Sequence, residues 1–450
     1  MKKTVSFIMA IFLVQNLFAQ VQVKDLPQEG FDQRIRAYIN NMHVVDTHEH
    51  LANPEGLKKS GMLDFTLLLH HYADDDIKSA GISKSDFAET LTNSMSVMEK
   101  WQAIKPYWEG SFNTGYNRAV QLTADKLFGV KNIDVNTVED LSANIRKAYE
   151  SDWFNEVLKE KCKIDYAVID GNDRSFGDQD MLRYIKRFDY ININSKHKIE
   201  NIAKRAGAQM NTFDNLLTSL NNEFINALQE GIVAVKIGVA YSRILFFDEV
   251  KKEEAEEIFN KIVASKSKEA LPFEEVKALQ DYLTHRVVEL ADEAAIPVQI
   301  HTGLQAGDGN FIENSNPTHL ANLFLKFRNV NFILFHGGYP FGSELASLAK
   351  NFRNVSIDLC WLYIISPSYS ERYLNEWLET VPANKIMAFG GDFHNVEGVY
   401  GHLLFARQVV ANVLIKKVRD GYFSEAEALK VAQMILHDNA ISILKLDKRN

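Results

Sequence analysis

Two histidines one residue apart, His48 and His50, close a run that starts with Val44-Val45 and passes through Asp46 and Thr47. Side chains alternate along a strand, so residues i and i+2 project to the same side. Both imidazoles then aim at one point, a geometry suited to a divalent metal at the carboxyl end of a strand. A lone His-x-His also arises from surface histidines that pair by chance. Three later segments give this one weight, because each reads as a buried strand running into a His or Asp: Pro297 to His301, Asn331 to His336, and Ile386 to Asp392.

Imidazole and carboxylate suit zinc or a similar divalent ion, and three protein ligands plus a water make an open, catalytic kind of site. Such an ion lowers the pKa of its water to about 7, and a carboxylate beside it, Asp392, can take the proton. Each residue alone has a plainer role. A strand-end histidine such as His301 or His336 is often simply hydrogen-bonded, and Asp392 could cap the following turn. Lys236, in the strand-like Ile232 to Ile237, has three readings: a carboxylated bridge between two ions, a contact to an anionic substrate, or a side chain snorkelling to solvent. Tyr241 and Arg243 follow it, and Arg243 is suited to clamp a substrate carboxylate bidentately or to make a surface ion pair. His394 and Glu397, just past Asp392, either line the pocket or cap the last helix. The tandem His70-His71, in the helical insertion, reads as solvent-exposed first, with one of the two reaching the pocket as the alternative.

These residues need strands whose carboxyl ends meet. A lead-in helix over Gln28 to Asn41 precedes the first strand, Val44 to Thr47. The next hundred residues show only helical patterns: Leu63 to Tyr72, Ser85 to Lys105 (ended by Pro106), Tyr116 to Leu127 and Val138 to Glu150. From Lys163 the chain alternates. Strand-like runs at Lys163 to Asp170, Phe188 to Ile193, Ile232 to Ile237 and Val355 to Leu359 join the three ending in His301, His336 and Asp392. Helices intervene at Phe213 to Gln229, Phe273 to Ala295, Thr318 to Phe327, Ser343 to Asn351, Ser370 to Thr380 and Val399 to Val418. About eight strands alternating with helices argue for α/β with a parallel sheet, and polar strand ends fit a (β/α)8 barrel with a helical insertion after the first strand. An open doubly wound sheet would need a Gly-rich phosphate loop after an early strand, and Asp46-Thr47-His48-Glu49 is not one.

The chain has 450 residues, 46% of them hydrophobic, and a net charge of -9. That supports a sizeable core and argues against nucleic acid as a partner. Residues 1–19 read as an export signal: Met1-Lys2-Lys3 is basic, an apolar run follows, and Ala19 precedes the expected cleavage. The mature chain, 20–450, is then expected as one domain, with the insertion over 60–150 and closing helices over 420–450. It is expected to be periplasmic or secreted, without a transmembrane anchor, and compatible with a homo-oligomer. The two cysteines, Cys162 and Cys360, are expected as free thiols.

The set Asp46-Thr-His-Glu-His50, His301-Thr-Gly, His336-Gly-Gly-Tyr-Pro, Gly391-Asp392 and Leu436-His-Asp-Asn-Ala440 resembles the amidohydrolase superfamily in its amidohydrolase-related (type 2) branch. The middle of the chain is similar to the amidohydrolase domain of nodulin/glutamine-synthetase-like fusion proteins, through Val235-Lys236, Ala240-Tyr241, Asn316-Pro-Thr-His-Leu320 and Tyr339-Pro-Phe341. A more distant similarity is to uronate isomerases. The resemblance implies a metal-holding barrel. Within it, His48 and His50 would be first-strand ligands, and His301 the fifth-strand ligand or a residue behind it. His336 would polarise substrate or shuttle a proton, and Asp392 would bind metal and act as acid/base. The chain departs from the fusion-protein pattern at Ala240-Tyr-Ser-Arg243 and at Asp392-Phe-His394-Asn395, which bears on substrate identity. The expected activity is hydrolysis of an amide, ester or lactone bond in a small substrate. It would use one divalent ion, zinc first, or two, with Asp392, His336 and Lys236 catalytic and Tyr241, Arg243 and His394 binding substrate. Isomerisation of a sugar acid and non-oxidative decarboxylation are the alternatives on the same site, and a binding protein with a structural metal is the non-enzymatic one.

Overall fold

The computed structural model describes residues 30–447 other than 61, 268 and 308. The export signal expected over residues 1–19 lies outside the described residues. Eight strands run in the order β1 to β8, each parallel to its neighbour. They are β1 Val44–Glu49, β2 Ile164–Asp170, β3 Leu182–Lys186, β4 Ile232–Ile237, β5 Val298–Ile300, β6 Phe332–Leu334, β7 Val355–Asp358 and β8 Ile386–Met387. The sheet closes on itself. Thr47 N–H donates to the Phe389 carbonyl at 3.1 Å and Asp392 N–H to the His48 carbonyl at 2.9 Å. All six residues of β1 are buried, as expected where helices cover the outside of a barrel and side chains fill the inside.

Helices alone occupy the described chain between β1 and β2. This insertion follows local rules. Ser96 and Glu99 form a reciprocal capping box at the start of Val97–Ser111, and Gly129, with φ of 72°, ends Gly115–Phe128. Pro106 was expected to end a helix, but it sits inside Val97–Ser111. It faces solvent, where the carbonyl deprived of its partner can bond water, while Trp101, Ile104 and Trp108 bury the opposite face.

The expected strand over Phe188 to Ile193 is also corrected. Asp189–Asn192 is a 3-10 turn, and the strand lies earlier, at Leu182–Lys186. Phe188 stacks on Phe224 and the Tyr190 hydroxyl meets the Ser219 hydroxyl, so the apolar residues there anchor a turn. The true strand was disguised by Arg183 and Lys186, and the Arg183 guanidinium lies over the Tyr166 ring.

Among the described residues one helix, Val396–Arg419, is long and apolar enough to cross a membrane by length and composition. It is the last large helix of the barrel wall, and most of its apolar residues are buried there. Both cysteines are free and buried.

Candidate active site

The carboxyl ends of the strands frame a cavity of about 240 Å³ bordered by His48, His50, Lys236, His301, His336 and Asp392, with Tyr241 and His394 at its edge. Strand alternation delivers His48 and His50 from β1 with their rings edge-to-face, 4.9 Å between centroids. Asp392 arrives from the turn after β8 in the left-handed region, φ 64°. His336 (φ 62°), past β6, and Trp361 (φ 64°), past β7, share that conformation. Three non-glycine residues in a costly backbone state at the strand ends mark where the fold stores strain.

Asp392 Oδ1 lies 3.2 Å from His50 Nε2 and 3.6 Å from His48 Nε2. Donors bound to one tetrahedral ion by bonds of about 2.1 Å stand roughly 3.4 Å apart. Both separations match the spacing a shared divalent ion requires, and one ligand atom from each of the three residues lies within 4.8 Å of the others. Burial alone would raise the Asp392 carboxyl, but its bond with His50 and the nearby His48 and His336 hold it well below the usual carboxylate range. His48 is held well below its usual pKa by burial and by Lys236, so it is neutral and offers a lone pair.

His301 does not join these three donors. One ring nitrogen donates to the Leu304 carbonyl at 2.9 Å and the other faces His336 Nε2 at 2.9 Å. His336 Nδ1 in turn bonds the Cys360 carbonyl at 3.0 Å. Carbonyls can only accept, so this chain of three contacts needs three protons where two neutral imidazoles carry two. Burial pushes the His336 ring down to about 4.

Lys236 is 2% exposed, with its ammonium 3.3 Å from the centre of the Phe335 ring. Burial and the neighbouring Arg187 lower it to about 8. It does not reach solvent. Tyr241 packs its ring on His301 at 4.8 Å and accepts from the Ala306 amide through its hydroxyl. His394 bonds the His50 carbonyl through Nδ1 at 3.0 Å.

Arg243 corrects an expectation, because it does not face the cavity. Its side chain is 1% exposed and paired with Asp281 at 2.5 Å, and it also bonds the Phe246 carbonyl and Gln280. Four hydrogen bonds hold the buried guanidinium on protein acceptors, away from the cavity. Glu397 is likewise neither a cap nor a pocket residue. It is buried against Trp153 Nε1 and the Tyr149 hydroxyl of the insertion.

Four residues outside the sequence-derived set of site residues border the cavity or the His48, His50 and Asp392 cluster. Asp170, at the end of β2, places Oδ2 3.7 Å from His48 Nε2. Arg187, just past β3, binds that same oxygen through Nε and Nη2, and borders the cavity. Arg187 was hidden by the misplaced third strand. Asp170 had a signal, since it ends a strand-like run as Asp392 does. The insertion contributes His71, whose Nδ1 bonds the Asp392 carbonyl at 3.2 Å, and Tyr72, stacked on Trp361 at 4.5 Å. The tandem histidines are thus partly buried, not mainly exposed.

Residues 239–446, a little under half of the chain, match the family model Amidohydro_2, described as amidohydrolase. Protein fluG of Emericella nidulans is 27% identical over 256 residues, 54% of this chain, and the chain spans only 29% of the length of that curated relative. Among solved structures, a protein described as a metal-dependent hydrolase from Lactobacillus casei aligns over 92% of this chain and 98% of its own, at 18% identity and a TM-score of 0.66. Glucuronate isomerase from Caulobacter crescentus aligns over 94% and 96%, at 15% identity and a TM-score of 0.77. At such identities the likeness to these structures is one of fold. The family match spans β5 to β8, which bring His301, His336 and Asp392 to the cavity, so the likeness to amidohydrolases lies in the half of the chain that carries those residues.

Proposed function

We propose that the protein is a metal-dependent hydrolase that cleaves an amide, ester or lactone bond in a small, polar, anionic substrate. The observation that carries this reading is the spacing of Asp392 Oδ1 from His50 Nε2 and His48 Nε2, 3.2 and 3.6 Å, at the wall of a cavity that also holds two cations, Arg187 and Lys236. A divalent ion held there, zinc by the borderline character of two imidazoles and a carboxylate, would supply Lewis acidity and a water acidic near neutrality.

The chain's own groups do the rest. Asp392 Oδ2 points toward His336, 3.9 Å from its Nδ1, leaving this oxygen to accept a proton from the attacking water and return it to the leaving heteroatom. The Lys236 ammonium, buried and without a carboxylate partner among the described ion pairs, suits the oxygen where negative charge develops. Arg187 keeps one edge of its guanidinium on Asp170 and has its other edge for a substrate carboxylate.

The cavity wall is more polar than apolar. Apart from the aromatic rings, only Gly238 and Ala306 present apolar surface. That favours a hydroxylated acid over an acyl chain, and it also suits the second reading, proton transfer between adjacent carbons of a sugar acid. Metal analysis of the purified protein, followed by NMR of incubations with lactones, N-acyl amino acids and uronates, tests the proposal. Bond cleavage is expected. A product isomeric with its substrate would replace hydrolysis with isomerisation, and loss of carbon dioxide would make the enzyme a decarboxylase. Export with cleavage after Ala19 belongs to the same reading, and N-terminal sequencing of the mature protein checks it.

A further inference from the structure

Three consecutive amides in the turn that carries Asp392 are each taken by an acceptor on β1. Gly391 N–H donates to Asp46 Oδ1 at 3.1 Å, Asp392 N–H to the His48 carbonyl at 2.9 Å, and Phe393 N–H to Glu49 Oε2 at 2.7 Å. Successive amides around a left-handed residue form an anion-binding concavity. Here the anion comes from inside the barrel. Asp46 and Glu49 are both 0% exposed, and Asp46 Oδ2 and Glu49 Oε1 have no hydrogen-bond partner among the described residues. Asp46 Oδ1 accepts from His48 N–H as well, at 3.2 Å, so one carboxyl braces backbone on both sides of the candidate ion site. A Cβ at Gly391 would lie 1.9 Å from Glu49 Oε1, so only glycine there lets Glu49 lie beneath the turn. Neither carboxyl borders the cavity.

We propose that Glu49, with Asp46 bracing the same turn, is the positioning residue of the site. It fixes the left-handed turn so that the Asp392 carboxylate meets the imidazoles of His48 and His50. Alternation along β1 points the residue between two histidines away from them, and Glu49 uses that opposite direction to tie β1 to the turn after β8. Other residues that orient ligands from behind in this way cost 10–100-fold in metal affinity when lost, as an order of magnitude. The inference rests on the divalent-ion reading of His48, His50 and Asp392, and it is indifferent to the substrate.

The test is the affinity of the full chain for zinc and for cobalt, measured by competition with a chromophoric chelator, with circular dichroism as the control for folding. Glu49→Gln keeps an acceptor for Phe393 N–H, so it is expected to bind the ion as the wild type does. Glu49→Leu, of similar volume, lacks it and is expected to bind roughly 10–100-fold more weakly with an unchanged spectrum. Gly391→Ala, whose methyl displaces an otherwise intact Glu49, is expected to reproduce the loss. Wild-type affinity in Glu49→Leu overturns the proposal, as does a Glu49→Gln variant as weak as Glu49→Leu. Should Glu49→Leu not fold, Gly391→Ala and Asp46→Asn carry the same test, and wild-type affinity in both overturns it. A wild-type chain that takes up neither ion overturns the site reading and this one together, an outcome distinct from variants that bind as the wild type does.

Discussion

Two arginines separate what a residue type promises from what its surroundings permit. Arg243 has the chemistry of a carboxylate clamp, but Asp281, Gln280 and the Phe246 carbonyl consume it. Arg187 borders the cavity with one edge held by Asp170. Replacing Arg187 with Ala is therefore expected to raise KM by about ten- to a hundredfold, as loss of a charge-assisted hydrogen bond worth roughly 1.5–3 kcal/mol requires, with a smaller effect on kcat. Steady-state kinetics on any accepted acidic substrate checks this. Arg243→Met is expected to leave KM unchanged and to lower stability instead. Breaking a buried pair costs roughly 3–5 kcal/mol. The lower end applies because Asp281 keeps Lys277 and the Asp248 amide, and urea denaturation reads it. Asp392→Asn keeps the shape of the acid/base but not its basicity, and is expected to lower kcat by about a hundredfold or more.

At the scale of elements, the insertion is bound to the barrel wall through Glu397. Its carboxyl accepts from Trp153 and Tyr149 of the insertion, while its own backbone belongs to Val396–Arg419. Burial raises this carboxyl from 4.5 to about 7. The folded state then holds the proton more tightly than the unfolded state. The contribution of this group to stability is full below about pH 4.5, falls as pH rises toward 7, and is flat above. The fall is on the order of 3 kcal/mol. Glu397→Gln fixes the neutral form, so denaturation of this variant is expected to lose that segment of pH dependence and to be less damaging at pH 8 than at pH 5. The insertion is also fastened by aromatic contacts, with Tyr72 and Tyr116 stacked near Trp361 at 4.5 and 6.2 Å. These contacts put His71 and Tyr72 over the strand ends, so a chain lacking the insertion would have an open site.

For the whole molecule, the opposite end of the barrel is locked by charge. His437 joins Asp165, at the start of β2, to Asp438 at 3.1 and 2.7 Å, and His43, just before β1, reaches the second Asp165 oxygen at 2.7 Å. Burial opposes the charge on His437, but its bonds to the two carboxylates prevail and raise its pKa to about 9. A raised histidine stabilises fully below the unfolded value of about 6.5, and that contribution is lost as pH rises through 9. Denaturation midpoints are expected to fall between pH 7 and 10 in the wild type and to fall less in His437→Gln. The pH ranges of Glu397 and His437 meet near 7, so each variant reports on its own end of the barrel.

The sequence by itself determined the barrel, the insertion and the pair of histidines on β1, because alternation and helical periodicity are local. A strand end in His or Asp can be read from a dozen residues, and so His48, His50, Lys236, His301, His336 and Asp392 could be assigned to one mouth before any coordinates. Errors arose where local pattern and tertiary packing disagree. Arg183 and Lys186 hid β3, and with it Arg187. Pro106 survives inside a helix because its exposed face is solvated while Trp101 and Trp108 pay for the missing bond from the other side. Only the folded chain could decide which donors converge, that His301 is committed to Leu304 and His336, and that Arg243 is spent on Asp281. Those outcomes depend on distances between segments from tens to hundreds of residues apart, which are fixed by the folding of the whole barrel and have no trace in the spacing of any one segment.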